Sequence, residues 1–170
     1  MTQTTRNTNS SACPEGLAAP CGQFAGGVHY FPARIYFEDT DLSGLVYHAN
    51  YLRYMERARS DMLRVSGIDQ RAAQEDGTGV YAVADIAITY RRPAKLDDEI
   101  IVMSRVEAVG AATCTITQHV MRGSEILTEA RVTAAFLTPQ GRPRRQPRAW
   151  TDIFARLLEP KSPEEDRKLT

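Results

Sequence analysis

The stretch that decides the fold is FEDTDLSGLVYHANYLRYMERARSDML, residues 37–63. It begins with acidic residues, passes a Ser-Gly turn and a Tyr-His pair, and continues into a pattern typical of an amphipathic helix. The apolar residues that recur every three or four positions are Tyr51, Met55, Ala58, Met62 and Val65. This spacing predicts a long helix with one apolar face, with Asn50 as its N-cap and Gly67 at its end.

The residues on both sides of this helix have the two-residue periodicity of β-strands. The predicted strands are residues 28–37, 80–90, 98–109, 112–122 and 125–138. DQRAAQEDG, residues 69–77, predicts a short second helix. Short connections favour antiparallel pairing, and the apolar helix face must pack against the sheet. The prediction is an α+β fold of order β-α-β-β-β-β, with a curved antiparallel sheet of about five strands around a central helix.

The composition indicates one globular domain between polar ends. The 170 residues carry 21 basic and 21 acidic side chains, so the net charge of zero excludes a strongly basic nucleic-acid-binding protein. We expect a flexible leader at 1–27, the domain at 28–140, and an Arg/Pro-rich segment at 141–170 with a short helix and a polar tail. The three cysteines match no metal or disulfide pattern, which favours the cytoplasm. No apolar run is long enough for a transmembrane helix.

Two segments, YFEDTDLSGLVYHANYLRYMERAR and YRRPAKLDDEI, resemble the hotdog-fold acyl-CoA thioesterases. The resemblance is to the 4-hydroxybenzoyl-CoA thioesterase-like branch, and within it to the Tol–Pal-associated acyl-CoA thioesterase family. It covers residues from about Val28 to Thr138, and the two ends of the chain lie outside it. It implies hydrolysis of acyl-CoA or an acyl-carrier-protein thioester, assembly as dimers or tetramers with sites between subunits, and no metal or redox cofactor.

The chemistry of thioester hydrolysis explains why acids precede a helix. A carboxylate can attack the carbonyl or deprotonate water, and the free N–H groups of a helix N-terminus can bind the developing oxyanion. The resemblance implies that Asp41 is the carboxylate and that His48 polarises the carbonyl. Gly44 would allow close backbone approach, and Val46 and Tyr47 would line the pocket. The alternative for Asp41 is a local Asx turn, and for His48 a surface or capping histidine.

Other acidic residues compete with Asp41 for a role in the site. Glu38 and Asp39 are interpreted as turn or surface acids. Glu56 lies at the margin of the helix's apolar face, and another hotdog branch places its carboxylate on this helix. We favour an ion pair between Glu56 and an arginine such as Arg53, Arg59 or Arg92, with a supporting role in the site as the second choice. Phe37 stands where many family members carry Tyr.

Basic residues are candidates for contacts with the phosphates of coenzyme A. Arg91 and Arg92 follow a predicted strand and are interpreted as substrate-binding residues. The denser cluster in GRPRRQPR, residues 141–148, is interpreted as a solvated exit from the domain. Peripheral contact of that cluster with anionic lipid is a weaker alternative. His29 and His119 lie on predicted strands and are interpreted as structural.

Two other functions compete with acyl-CoA hydrolysis. One is a hotdog dehydratase, which the loop motif disfavours. The other is a non-catalytic partner that binds acyl thioesters or acyl-carrier protein in an envelope or lipid-metabolism complex. The presence of Asp41 and His48 favours the enzyme. Release of free thiol from acyl-CoA by the purified protein discriminates between an enzyme and a binding module.

Overall fold

The structure, a computed structural model, describes residues 19–158. Within this range the chain forms six strands, three α-helices and a short 3-10 helix at Phe37–Asp39. The strands are β1 Gln23–Ala25, β2 Val28–Arg34, β3 Val80–Tyr90, β4 Glu99–Val109, β5 Thr113–Arg122 and β6 Glu125–Leu137. The α-helices are α1 His48–Val65, α2 Gln70–Glu75 and α3 Arg148–Leu158.

The strands form one antiparallel sheet in the order β1-β2-β4-β5-β6-β3. Helix α1 packs on this sheet, with contacts to β2, β4 and β5. The predicted α+β class, with a long helix against an antiparallel sheet, is confirmed. The predicted count of about five strands is one too low, because β1 lies within the segment interpreted as a flexible leader. Backbone pairing of Gln23–Ala25 with β2 orders this short strand.

Helix α1 begins three residues earlier than expected. Its N-cap is Tyr47, and Asn50 lies in the first turn with its side chain donating to the carbonyl of Asp39 at 2.9 Å. The prediction of Asn50 as N-cap is therefore wrong, since this amide bonds to the preceding loop instead of capping its own helix. Gly67 follows the helix with a φ of 81°, a left-handed conformation that favours glycine and stops the helix.

The predicted apolar face of α1 is largely confirmed by burial. Tyr51, Met55, Ala58 and Met62 are buried in the core. Val65, at the last position of the helix, is partly exposed at 37%. Tyr51, Met55 and Ala58 share one core cluster with Ile100, Val102, Val120 and Val132 of the sheet, among others. Burying one such side chain contributes about 1.5–3 kcal/mol, so the packing of α1 on the sheet is a large part of the fold's stability.

The domain continues beyond residue 140, the boundary expected from the sequence. Phe154 of α3 is buried with Met62 and Val106, and Trp150 packs against the same cluster. The predicted short helix in the segment 141–170 is therefore α3, and it belongs to the core of the domain. Residues 1–18 of the predicted leader and 159–170 of the predicted tail lie outside the described residues. Between residues 19 and 158, no helix is both long and apolar enough to cross a membrane.

A buried polar cluster joins the N-terminal strands to α1. One oxygen of Asp61, Oδ2, accepts hydrogen bonds from the Gly22 amide at 2.8 Å and from His29 Nε2 at 3.0 Å. Arg64 bonds to the other oxygen. Asp61 is only 7% exposed. Its burial is tolerated because every contact donates to the carboxylate.

We expect the protein to lose stability in acid because of His29. Burial lowers the pKa of His29 below its usual 6.5, even though Asp61 opposes this shift. The unfolded chain therefore binds a proton at His29 more readily than the folded chain, so lowering the pH through 6.5 favours unfolding. Urea denaturation between about pH 7 and pH 5 measures this slope. His29→Gln should flatten the slope in this window, and an unchanged slope would assign the acid sensitivity to other groups.

Candidate active site

The loop between β2 and α1 forms a narrow hairpin that presents Asp41. Thr40 and Val46 form an antiparallel bridge, and the Asp41 amide donates to the carbonyl of Leu45 at 3.0 Å. Gly44 donates back to the Asp41 carbonyl at 3.0 Å and has a φ of 73°. A Cβ atom at Gly44 would meet no heavy atom within 4 Å. Position 44 thus favours glycine because its backbone is left-handed. The close approach of another part of the backbone to Gly44, which was expected from the sequence, is not found.

The carboxylate of Asp41 is solvent-exposed and locally hydrogen-bonded. Its Oδ1 accepts from the Ser43 hydroxyl and, at 2.8 Å, from the Ser43 amide. These two bonds hold the pKa of Asp41 below its usual 3.8, and the nearby His48 lowers it further. Asp41 therefore makes the Asx turn considered from the sequence and is ionised at neutral pH. Among the described residues nothing bonds to Oδ2, so this oxygen can act on a substrate or on water.

Asp41 and His48 lie on one cleft of about 370 Å³ at the start of α1. The cleft is lined by Asp41, Ser43, Leu45, Val46, His48, Tyr51, Tyr90, Arg91, Arg92 and Pro93. Five of the predicted site residues are thus brought together. Tyr47 does not line the cleft; it packs against the His48 ring, with 4.5 Å between ring centroids.

The first turn of α1 supplies hydrogen-bond donors at this cleft. The N-cap residue Tyr47 makes no side-chain cap, and Asn50 is the first residue of the turn whose amide bonds back, to the carbonyl of Tyr47 at 2.8 Å. Among the described residues the amides of His48 and Ala49 have no backbone partner. Unpaired amides at the positive end of a helix dipole attract an anionic oxygen. The carboxylate of Asp41 and the N-terminal end of α1 thus lie at the same opening.

Two tyrosines complete the cleft, and their roles were missed from the sequence. The Tyr90 hydroxyl donates to the carbonyl of His48 at 3.1 Å, and its ring meets that of His48 edge-on. The Tyr51 hydroxyl accepts from the Ala94 amide at 2.8 Å. Alternation and helix spacing predicted only that these residues lie on a strand and on the apolar face of α1. Their hydroxyl groups anchor the start of α1 to the end of β3.

Arg91 and Arg92 lie at the rim of the cleft, as their position after β3 predicted. Arg91 pairs with Glu129 at 2.6 Å, and Arg92 pairs with Glu125 at 3.0 Å. Both arginines are exposed. The ion pairs orient the guanidinium groups, which carry more donors than one carboxylate uses. The rim can therefore still bind phosphate.

Glu56 lies away from this cleft within the chain. Its carboxylate bonds to Arg59 and accepts from Ser60 at 3.2 Å, and the buried Arg59 donates to Gln118 at 2.6 Å. The predicted ion pair of Glu56 is thus made with Arg59. Glu56 borders a separate, mainly apolar cavity of about 70 Å³ near Met62. The structure does not bring Glu56 to the Asp41 cleft of its own chain.

The remaining acids of the loop and Phe37 differ in their exposure to solvent. Asp39, interpreted as a turn or surface acid, is a turn acid: its carboxylate accepts the Tyr36 amide at 2.8 Å at the 3-10 helix, and its side chain is buried. Glu38 is exposed. Phe37 is 82% exposed and does not line the Asp41 cleft. Within residues 19–158 there is no cluster of His, Cys, Asp and Glu suited to a metal ion.

Comparisons with known proteins agree with this architecture. A sequence model of the thioesterase-like superfamily matches residues 35–159. The acyl-CoA thioesterase YbgC of Haemophilus influenzae is 42% identical over 105 residues, covering 62% of this chain and 77% of that protein. The acyl-CoA thioester hydrolase YbgC of Escherichia coli is 32% identical over 121 residues, covering 70% and 90%. The crystal structure of a probable thioesterase from Bartonella henselae superposes with a TM-score of 0.67 at 35% identity, covering 71% and 99%.

Proposed function

The chain belongs to the thioesterase-like superfamily, and we propose that it hydrolyses acyl-CoA thioesters with Asp41 as the reacting carboxylate. The observation that carries this proposal is the single cleft that holds Asp41, His48 and the N-terminus of α1. The similarity to acyl-CoA thioesterases of Haemophilus influenzae and Escherichia coli supports coenzyme A as the thiol carrier.

The reaction converts an acyl-CoA and water into a carboxylic acid and the free thiol. Asp41 either accepts a proton from the attacking water or attacks the carbonyl itself to form an anhydride that water then cleaves. In both routes the carbonyl oxygen becomes an oxyanion before the C–S bond breaks. His48 and the amides at the start of α1 donate hydrogen bonds to this oxygen. One preorganised donor of this kind is worth roughly 3–4 kcal/mol in the transition state.

Thiol release from a panel of short, long and aromatic acyl-CoA substrates tests the proposal. Turnover of at least one of these thioesters, with formation of the free acid, is the expected result. If wild-type protein binds the panel without releasing thiol, it is a binding module and the proposal fails. The relative rates across the panel also give the preference for acyl chain length and for aromatic or aliphatic acyl groups.

We expect Arg91 and Arg92 to raise affinity through the phosphates of coenzyme A. Replacing either by Ala should raise KM about tenfold with little change in kcat, because a charge-assisted hydrogen bond is lost in both ground and transition states. Arg71→Ala is the matched control, since Arg71 is also exposed and paired with a carboxylate, Glu75, away from the cleft. KM for the acyl-pantetheine without adenosine phosphates should not change. An equal KM increase for acyl-pantetheine would contradict phosphate binding.

The outer edge of β3 supports assembly with a second copy. β3 is the terminal strand of the sheet and runs for 11 residues, with Val83 48% exposed on it. A long edge strand presents unpaired backbone groups, and antiparallel pairing of two such edges about a two-fold axis satisfies them. We expect a dimer, or a tetramer built from dimers, by light scattering at assay concentrations. A monomer would overturn this part of the proposal.

A further inference from the structure

The base of the Asp41 loop is tied to α1 through one backbone carbonyl. The carbonyl of Asp39 accepts the amide of Tyr47 at 2.9 Å and the side-chain amide of Asn50 at 2.9 Å. The first bond closes the loop just outside the Thr40–Val46 bridge. The second joins the loop directly to the first turn of α1. The same carbonyl thus connects the segment that carries the carboxylate with the helix end that would bind the oxyanion.

The Asp41 carboxylate has no comparable link of its own. Among the described residues, its side-chain hydrogen bonds go only to Ser43 of the same loop. Its distance from the amides of His48 and Ala49 therefore depends on how the loop is held against α1. Asn50 is 6% exposed, and its side-chain amide bonds α1 directly to the base of this loop.

The acceptor is itself held in place. The buried carboxylate of Asp39 accepts the Tyr36 amide at 2.8 Å, and the Asp39 amide donates to the Tyr36 carbonyl at 3.0 Å. Burial and the nearby Asp39 carboxylate raise the pKa of Tyr54, so Tyr54 stays neutral beside this acid. The Asp39 carbonyl is thus presented to Asn50 in a buried, hydrogen-bonded setting.

We infer that Asn50 is a positioning residue that keeps the Asp41 carboxylate in register with the oxyanion donors of α1. The inference rests on the proposed function, because it concerns the same reaction. Hydrolysis requires the carboxylate and the oxyanion donors to meet one carbonyl group from two sides. A misplacement of about 1 Å at such a site can cost on the order of a hundredfold in rate. Losing the Asn50 amide should therefore lower kcat, while binding of the coenzyme A portion remains.

The experiment compares Asn50→Ala and Asn50→Ser with wild type on the best acyl-CoA of the panel. Rates are expressed per folded molecule, with folding measured by circular dichroism. Asn50→Ala should lower kcat about ten- to a hundredfold, with KM within about threefold of wild type. Asn50→Ser keeps a hydrogen-bond donor on a shorter side chain, so its kcat should lie between those of wild type and Asn50→Ala. This variant also tests the inference if Asn50→Ala does not fold.

Gln146→Ala is the matched control. Gln146 is also a 6% exposed amide, and its Nε2 donates to the carbonyls of Gly110 at 2.8 Å and Thr113 at 3.0 Å, away from the cleft. Gln146→Ala should lose stability with kcat per folded molecule unchanged. If both Asn50 variants keep wild-type kcat, or if Gln146→Ala lowers kcat equally, the inference is overturned while wild-type turnover upholds the proposed function. If the wild-type protein releases no thiol, the proposed function and this inference both fail.

Discussion

Replacing Asp41 by Asn is expected to lower kcat for acyl-CoA hydrolysis about a hundred- to ten-thousandfold in a protein that still folds. Asn has the size of Asp and can still accept from Ser43, so the loop is preserved. It carries no negative charge with which to attack the carbonyl or accept a proton. Because the Asp41 carboxylate is exposed and its bonds are local, its replacement should have little effect on stability. Thiol release under saturating substrate measures the loss.

Asp76→Asn is a close control for this substitution. Asp76 makes the same kind of turn, with its Oδ1 accepting the Thr78 amide at 2.7 Å. Hydrogen bonds from Thr78 also lower its pKa, as those from Ser43 lower the pKa of Asp41. Asp76→Asn should retain full turnover. Full turnover of Asp41→Asn would instead exclude Asp41 from the mechanism, and Glu56→Gln would then be the next variant to measure.

Replacing Asp61 by Ala should lower the free energy of unfolding by about 2–6 kcal/mol. Two buried donors, the Gly22 amide and His29 Nε2, lose their shared acceptor, and each such loss costs roughly 1–3 kcal/mol. This is a large share of the 5–15 kcal/mol that is typical of a whole domain. Urea denaturation, followed by circular dichroism, gives the change in free energy.

Arg64→Ala separates the contribution of the buried donors to stability from that of the surface ion pair between Arg64 and Asp61. Arg64 is 63% exposed, so its pair with Asp61 is screened by water and should contribute much less to stability than the buried donors do. A loss in Arg64→Ala as large as that in Asp61→Ala would mean that the ion pair dominates the cluster. Because Asp61 lies far along α1 from the cleft, kcat of folded Asp61→Ala should stay close to wild type.

Much of the fold and part of the site could be predicted because the relevant signals are local. The apolar spacing of Tyr51, Met55, Ala58 and Met62 indicated α1, and the two-residue alternation indicated the long strands. The motif in residues 36–59 indicated the thioesterase family, which the comparisons confirm. It also predicted that Asp41 and His48 belong together, and the structure places both on one cleft.

The features that the sequence did not predict depend on tertiary contacts. β1 is three residues long and is ordered by pairing with β2. The short helix after residue 140 was predicted, but its packing into the domain core depends on tertiary contacts. Asp39 was interpreted as a turn or surface acid, and its burial depends on packing. The burial of Asp61 depends on the Gly22 amide and His29, which are distant along the chain. The sequence indicates only that Tyr90 is a strand residue. Its hydrogen bond to the carbonyl of His48 depends on how α1 lies against β3 after folding. No local pattern contains these partners.

The sequence by itself determined where the long helix and the long strands lie, which family the chain belongs to, and which carboxylate and histidine flank the start of α1. These features depend on residue type and spacing along the chain, which the sequence contains directly. Only the tertiary structure decided that Tyr90 anchors His48, that Asn50 ties the Asp41 loop to α1, and that Glu56 pairs with Arg59 away from the cleft. Each of these depends on which atoms meet after folding, because one polar side chain can bond to many partners and packing selects among them.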